Sequence, residues 1–284
     1  NKWSDGTAGT TSKTLKITIN QKPLSVLWDK TTFTYTGTGQ APKPTIYDAS
    51  GTAIAAANIT LQYKSGTGAY GSAVASTATA TTVNAGSYTV KAILASSLSN
   101  YKISKAEQTY TIDKKNIAVT GGIADVSVAY GDTVTTSTIN TASAVLDGVI
   151  TADKANVKLA YTGISALADK NVGTKFVDMT GLSITGTAAG NYNLTTTKWP
   201  IAVKITPRKV TVTGITADGK TYDGTSVATL KYTGAVINNI VSGESLEIEA
   251  EGVFVNATAG TGKTVNIKNI TLKDKDTFKA SNYE

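Results

Sequence analysis

Residues 257–264 read ATAGTGKT, a small residue followed by four arbitrary ones and Gly-Lys-Thr, which is the loosest spelling of a phosphate-binding loop. A true loop of that kind joins a strand to a helix whose N-terminus receives the anion, and it would make the fold α/β. The residues that follow are TVNIKNITL, with Val265 and Ile267 two apart as in a strand. The stretch therefore reads as a turn between strands. Lys263 reads as a solvated strand residue, and no nucleotide is expected there.

The period of two seen after this turn runs through the chain. It recurs in Leu15, Ile17, Ile19, in Tyr88, Val90, Ala92, in Ile201, Val203, Ile205 and in Leu246, Ile248, Ala250. These are half-buried strands, separated by Thr, Gly, Asn, Ser and Asp clusters that make turns. No 3.6-residue period is sustained, and only SAVLDGVITADKANVKLAY (143–161) leaves room for a short helical turn.

The chain also repeats itself. QKPLSV, KKNIAV and PRKVTV place Val26, Val119 and Val212 at steps of 93 residues. SNY, GNY and SNY place Asn100, Asn191 and Asn282 at steps of 91, and Gly86, Gly173 and Gly260 fall at steps of 87. Three independent markers thus agree on a tandem array. Each repeat has a tyrosine and a glycine in a turn after its first strand, in FTYTG, VAYGD and KTYDG. Gly260 of ATAGTGKT is the turn glycine of the third repeat. The expected division is a tail at 1–20, the last strand of a preceding repeat, then repeats at 21–113, 114–206 and 207–284, the third lacking its final strand. Residues 13–19 carry that tail strand.

Composition narrows the chemistry. The 284 residues carry a formal charge of +7, 40% hydrophobic residues, and neither cysteine nor histidine. Thiol nucleophiles, Ser-His-Asp triads, disulfides and zinc sites built on thiolate or imidazole are therefore excluded. The lysines alternate with Thr, Val and Ile, as in LKITIN and VKIT, and read as the wet faces of strands, so no nucleic-acid partner is expected. No run of eighteen apolar residues appears, and no membrane insertion is expected in this segment.

The run KVTVTGITADGKTYDGTSVATL (209–230), with AGTGKTV (259–265) and GNYNL (190–194), resembles the YDG repeats of bacterial surface proteins. The first repeat, with FTYTGTGQAPKPTI (33–46), NAGSYTV (84–90) and SNYKI (99–103), is similar to the related MBG repeats. The resemblance covers nearly the whole chain. It implies an all-β, Ig-like or β-sandwich module repeated as an elongated rod along the stalk of an extracellular adhesin. The third repeat departs from the usual Asp-Lys-Asn before the glycine, with Ala257 to Ala259 there instead. Surface domains of this general kind sometimes join Lys to Asn covalently, and Lys22 with Asn100 and Lys115 with Asn191 are the pairs in register. The preferred reading of Asn100, Asn191 and Asn282 is structural: left-handed turn residues with local side-chain hydrogen bonds.

Other candidates read as structure. Trp28 and Trp199 stack on sugars in one reading and fill core or interface in the preferred one. Asp274-Lys275-Asp276 reads as a polar turn ahead of a calcium site. The sequons at Asn58, Asn193, Asn256 and Asn269 read as accidents of an Asn- and Thr-rich chain. No catalytic, cofactor-binding or metal-binding residue is expected, and no cofactor. The expected function is a non-catalytic spacer whose partners are neighbouring repeats. Its joints are short: Ile19 to Leu24, Ile112 to Ile117 and Ile205 to Val210 each span five residues, two of them stiffened by Pro23 and Pro207. The rival reading is an adhesive module that binds host glycan or protein through loops of the first repeat. There Leu61 to Gly86 spans 25 residues against 14 in its neighbours, with KSGTGAYGSAVAS (64–76) as an insertion that reads as a wide hairpin.

Overall fold

A computed structural model describes residues 15–284 and is all-β, with short 3-10 turns between its strands. It divides into two compact units. The first comprises residues up to Asn116 together with Val149–Ala155 and Thr187–Asn193, and the second comprises Ile117–Gly148, Asn156–Gly186 and Leu194–Glu284.

In the first unit, a five-stranded sheet runs in the order Thr32–Thr34, Glu107–Asp113, Gly86–Leu94, Ile59–Ser65, Val74–Ala75. A three-stranded sheet has Lys22–Trp28 between Pro44–Tyr47 and Tyr101–Ile103. Alternation supplies the core: Ile59, Leu61 and Tyr63 are buried from one strand, Val90 and Ala92 from the next, Tyr110 and Ile112 from a third, and Leu24 and Ile46 from the smaller sheet. Residues 64–76 form the expected wide hairpin, since Val74–Ala75 turns back antiparallel onto Thr60 and Leu61.

In the second unit, Trp199–Thr206 lies between Val126–Ala129, which it pairs in parallel, and Gly173–Thr180, which it pairs antiparallel. Their inward rows, Val177, Met179, Ile201, Val203 and Ile205, are all buried. The third repeat forms its own three-stranded sheet, Glu247–Phe254 between Val227–Ala228 and Val265–Lys273. Among the described residues Val265–Lys273 has a strand on one side only. Gly86–Leu94 and Gly173–Thr180, its counterparts, have strands on both. Accordingly Ile267 is 36% and Ile270 45% exposed, whereas Val90 and Val177 are at most 1% exposed.

The opening strands and the Asn-Tyr motifs are brought together by backbone pairing. Lys22 N–H donates to Asn100 O at 2.8 Å, and Arg208 N–H donates to Asn282 O at 2.9 Å. The link from Asp113 to the strand Lys115–Gly121 is the single residue Lys114.

Four expectations are corrected. The expected strand at 13–19 lies partly outside the described residues, and residues 15–20 form no strand; Leu15, Ile17 and Ile19 are exposed. Lys263 is not on a strand but in the loop before Val265, where its ammonium folds back to Asn256 Oδ1 at 2.5 Å and to the Thr258 carbonyl. Gly86 and Gly173 each open a strand, while Gly260 stands five residues ahead of one; the departure at Ala257 to Ala259 lengthens that turn. None of Asn100, Asn191 and Asn282 is left-handed, since the only non-glycine residues with positive φ among those described are Asn239, Asn269 and Asp276.

Candidate interaction site at the repeat joints

The recurring asparagines and tyrosines serve a purpose other than turning the chain. In the first compact unit, the turn at Tyr35 and the turn at Asn84-Ala85-Gly86 form a socket. Into it fit two short pieces of the second repeat, Val149–Ala155 and Thr187–Asn193. Tyr35 and Tyr192 both donate their hydroxyls to Asp153 Oδ2, at 2.7 and 2.6 Å. Their rings meet edge to face with centroids 5.4 Å apart, a favourable arrangement of ring quadrupoles. Asn191 completes the joint: its Oδ1 accepts from Ala85 N–H at 2.9 Å and its Nδ2 donates to Asn84 Oδ1 at 3.1 Å.

The second compact unit contains the same joint built from the next repeat. Tyr130 and Tyr283 donate to the two carboxylate oxygens of Glu244, at 2.8 and 2.5 Å. Their centroids are again 5.4 Å apart, edge to face. Asn282 Oδ1 accepts from Val172 N–H at 3.0 Å, and its Nδ2 donates to Asn171 Oδ1 at 2.8 Å.

The local backbone explains why each tip presents its acid correctly. Asp153 N–H donates to Ile150 O and Glu244 N–H to Val241 O, so each acid closes a 3-10-type turn, which continues after Asp153 as the short 3-10 helix Thr151–Asn156 and stops at Glu244. The N–H that starts the turn, of Ile150 or Val241, donates to the hydroxyl of Tyr192 or Tyr283. Each of these tyrosines therefore accepts from the turn's first residue and donates to its last. On the socket side, each tyrosine is followed within two residues by a glycine in the left-handed region, where any other residue is strained. Gly37 and Gly131 have φ of 79° and 84°, and a Cβ on them would stand 3.4 Å from Ile150 and 2.4 Å from Val241.

The electrostatics follow from burial. Burial pushes the Tyr35 hydroxyl up to about 12, and the bond to Asp153 adds to it. Burial, then Asp153, raises Tyr192; burial, then Glu244, raises Tyr130 and Tyr283. Neutral tyrosines bound to a carboxylate form charge-assisted hydrogen bonds. Chemically the cluster is closed, because both hydroxyls and the acid are committed to one another. A cavity of about 570 Å³ adjoins the second joint, lined by Val134, Leu167, Lys170 and Val241 among others, and Glu244 reaches it already holding two hydroxyls.

The other candidates fall into structural roles. Asp274 accepts from Lys279 Nζ at 2.9 Å and from Ala280 N–H at 2.8 Å, and Lys279, with the backbone bond, holds its carboxyl below the usual range. Trp199 packs against the core of the second unit, and Trp28 ends a strand half-buried. Asn191 has its carboxamide engaged by Asn84 and Ala85. Asp153 and Glu244 were not singled out by sequence. They sit six and two residues before the matched leucines Leu159 and Leu246, so the repeat comparison puts them out of register. The signal that leads to them is the recurring pair of tyrosines, which need a shared acceptor once buried.

Among the described residues no group of three or more His, Cys, Asp or Glu could hold a metal, and no helix is long and apolar enough to cross a membrane. No curated protein matches the chain. The model of the YDG domain family matches residues 113–199 and 206–284.

Proposed function

The chain belongs to the YDG domain family, and from that premise we propose that it is a non-catalytic spacer of a bacterial cell-surface adhesin. It holds a distal binding region away from the cell, with an MBG-like repeat leading two YDG repeats. The observation that carries this reading is the duplicated joint: Tyr35, Asp153, Tyr192, Asn191 and Tyr130, Glu244, Tyr283, Asn282 make the same contacts. A recurring polar cluster with no free reactive group suits fixing one repeat on the next. Closed hydrogen-bond networks of this kind rigidify what they join. The one-residue link at Lys114 adds little slack between the first and second repeats.

A semi-rigid spacer scatters X-rays with a radius of gyration well above the roughly 19 Å of a compact globule of this length. A compact profile would remove the spacer reading, and reproducible binding of the chain on a glycan array would replace it with the adhesive one.

A further inference from the structure

Two of the three repeats have their sockets filled, and the third repeat carries a socket that is open. Tyr222 occupies the position of Tyr35 and Tyr130, yet it is 67% exposed where they are 4% and 9%. Gly224 keeps the left-handed backbone of the socket glycine, with φ of 80°, but a Cβ there would meet nothing within 4 Å. In the repeat register Thr258-Ala259-Gly260 matches Asn84-Ala85-Gly86 and Asn171-Val172-Gly173, on a turn that here runs five residues further before its strand. Tyr222 and this turn line one groove of about 640 Å³, together with Lys220, Phe254 and Lys263.

From this geometry we infer that the groove between Tyr222 and Thr258–Gly260 is a docking site for the tip of another YDG-type repeat, one carrying an acid on its turn beside an Asn-Tyr pair. The Tyr222 hydroxyl donates to the incoming acid, and the Ala259 N–H donates to the incoming asparagine Oδ1. The Thr258 hydroxyl takes the place of the Asn84 and Asn171 carboxamides. Lys220 and Lys263 also line the groove, Lys220 paired with Asp223 and Lys263 held by Asn256 and Thr258, so the recognition rests on Tyr222 and the Ala259 amide and not on net charge.

The same geometry selects against a second copy of this chain as the occupant. Among the described residues the tip of the first repeat occupies no socket, and its Asn100 is exposed. The turn ahead of its strand Ile59–Ser65 reads AIAAAN (53–58) and holds no acid. The tips of the second and third repeats already occupy sockets.

The inference rests on the joint geometry and not on the spacer role, so the two can fail separately. The test extends the full chain beyond Glu284 with a second copy of residues 194–284. This supplies a closing strand for the third repeat and then an outer repeat whose tip bears the counterparts of Glu244, Asn282 and Tyr283. In the 284-residue chain, Tyr222→Phe should leave the melting midpoint unchanged. In the extended chain, the same substitution in the inner repeat should lower the last transition by about 3 °C or more. Glu244→Ala in the outer copy alone should lower it likewise, and the two together no further than the larger single effect.

A second readout uses the absence of cysteine. An added Cβ on Gly131 stands 3.6 Å from the Val241 Cβ, within disulfide range. Gly131→Cys with Val241→Cys is therefore the control in the 284-residue chain. Inner Gly224→Cys with outer Val241→Cys should close a disulfide within one extended chain. A silent Tyr222→Phe in the extended chain, an outer repeat that does not order, or a disulfide that forms only between chains would each overturn the inference.

Discussion

At the scale of the residue, the joint turns on one carboxylate accepting from two buried phenols. Asp153→Ala strands the hydroxyls of Tyr35 and Tyr192, which are 4% and 2% exposed. A buried donor without an acceptor costs about 1–3 kcal/mol, so the loss should be about 3 kcal/mol, and Glu244→Ala should match it; urea denaturation reads both. A loss under about 0.5 kcal/mol would mean the hydroxyls find water instead. The phenols also set a pH limit. Tyr35 has its pKa raised from 10.0 to about 12 when folded. Its contribution is therefore complete below pH 10 and is lost as pH rises from 10 toward 12, because the unfolded chain ionises first. Tyr35→Phe should make the alkaline fall in stability shallower than in the parent chain, and an unchanged slope would show that this phenol does not govern it.

At the scale of the element, strands with the same pattern differ in worth according to what covers them. Val177, on a strand paired on both sides, is 1% exposed, and Ile267, on the one-sided strand Val265–Lys273, is 36% exposed. Val177→Ala should cost about 2 kcal/mol through lost burial and a cavity, and Ile267→Ala less than about 1 kcal/mol. Equal costs would mean that the one-sided sheet buries its apolar row in solution. The period of two was legible for both strands, because alternation is local. Their exposure was not, because it depends on a neighbouring strand. The same limit governed the site: Tyr35, Tyr130 and the Asn-Tyr pairs recur at readable spacings, but Asp153 and Glu244 lie on turns of different length. Only folding brings them to the tyrosines. The asparagines were legible as recurring and misread in role, since a carboxamide that reaches a turn about 110 residues away looks in sequence like one that caps its own turn.

At the scale of the whole molecule, each compact unit contains one complete joint, with Asp153 in the first and Glu244 in the second. Stability in a repeat array is close to a sum of local and nearest-neighbour contributions, so the two joints should act independently. The effects of Asp153→Ala and Glu244→Ala should therefore add to within about 0.5 kcal/mol. Hydrogen exchange localises the claim further. The Ala85 amide is held by Asn191 and the Val172 amide by Asn282, so each reports on its own joint. Asp153→Ala should speed exchange at Ala85 and leave Val172 as it was, and Glu244→Ala should do the reverse. If either substitution loosened both amides, the joints would open as one cooperative unit, and the chain would respond to load as a whole instead of repeat by repeat.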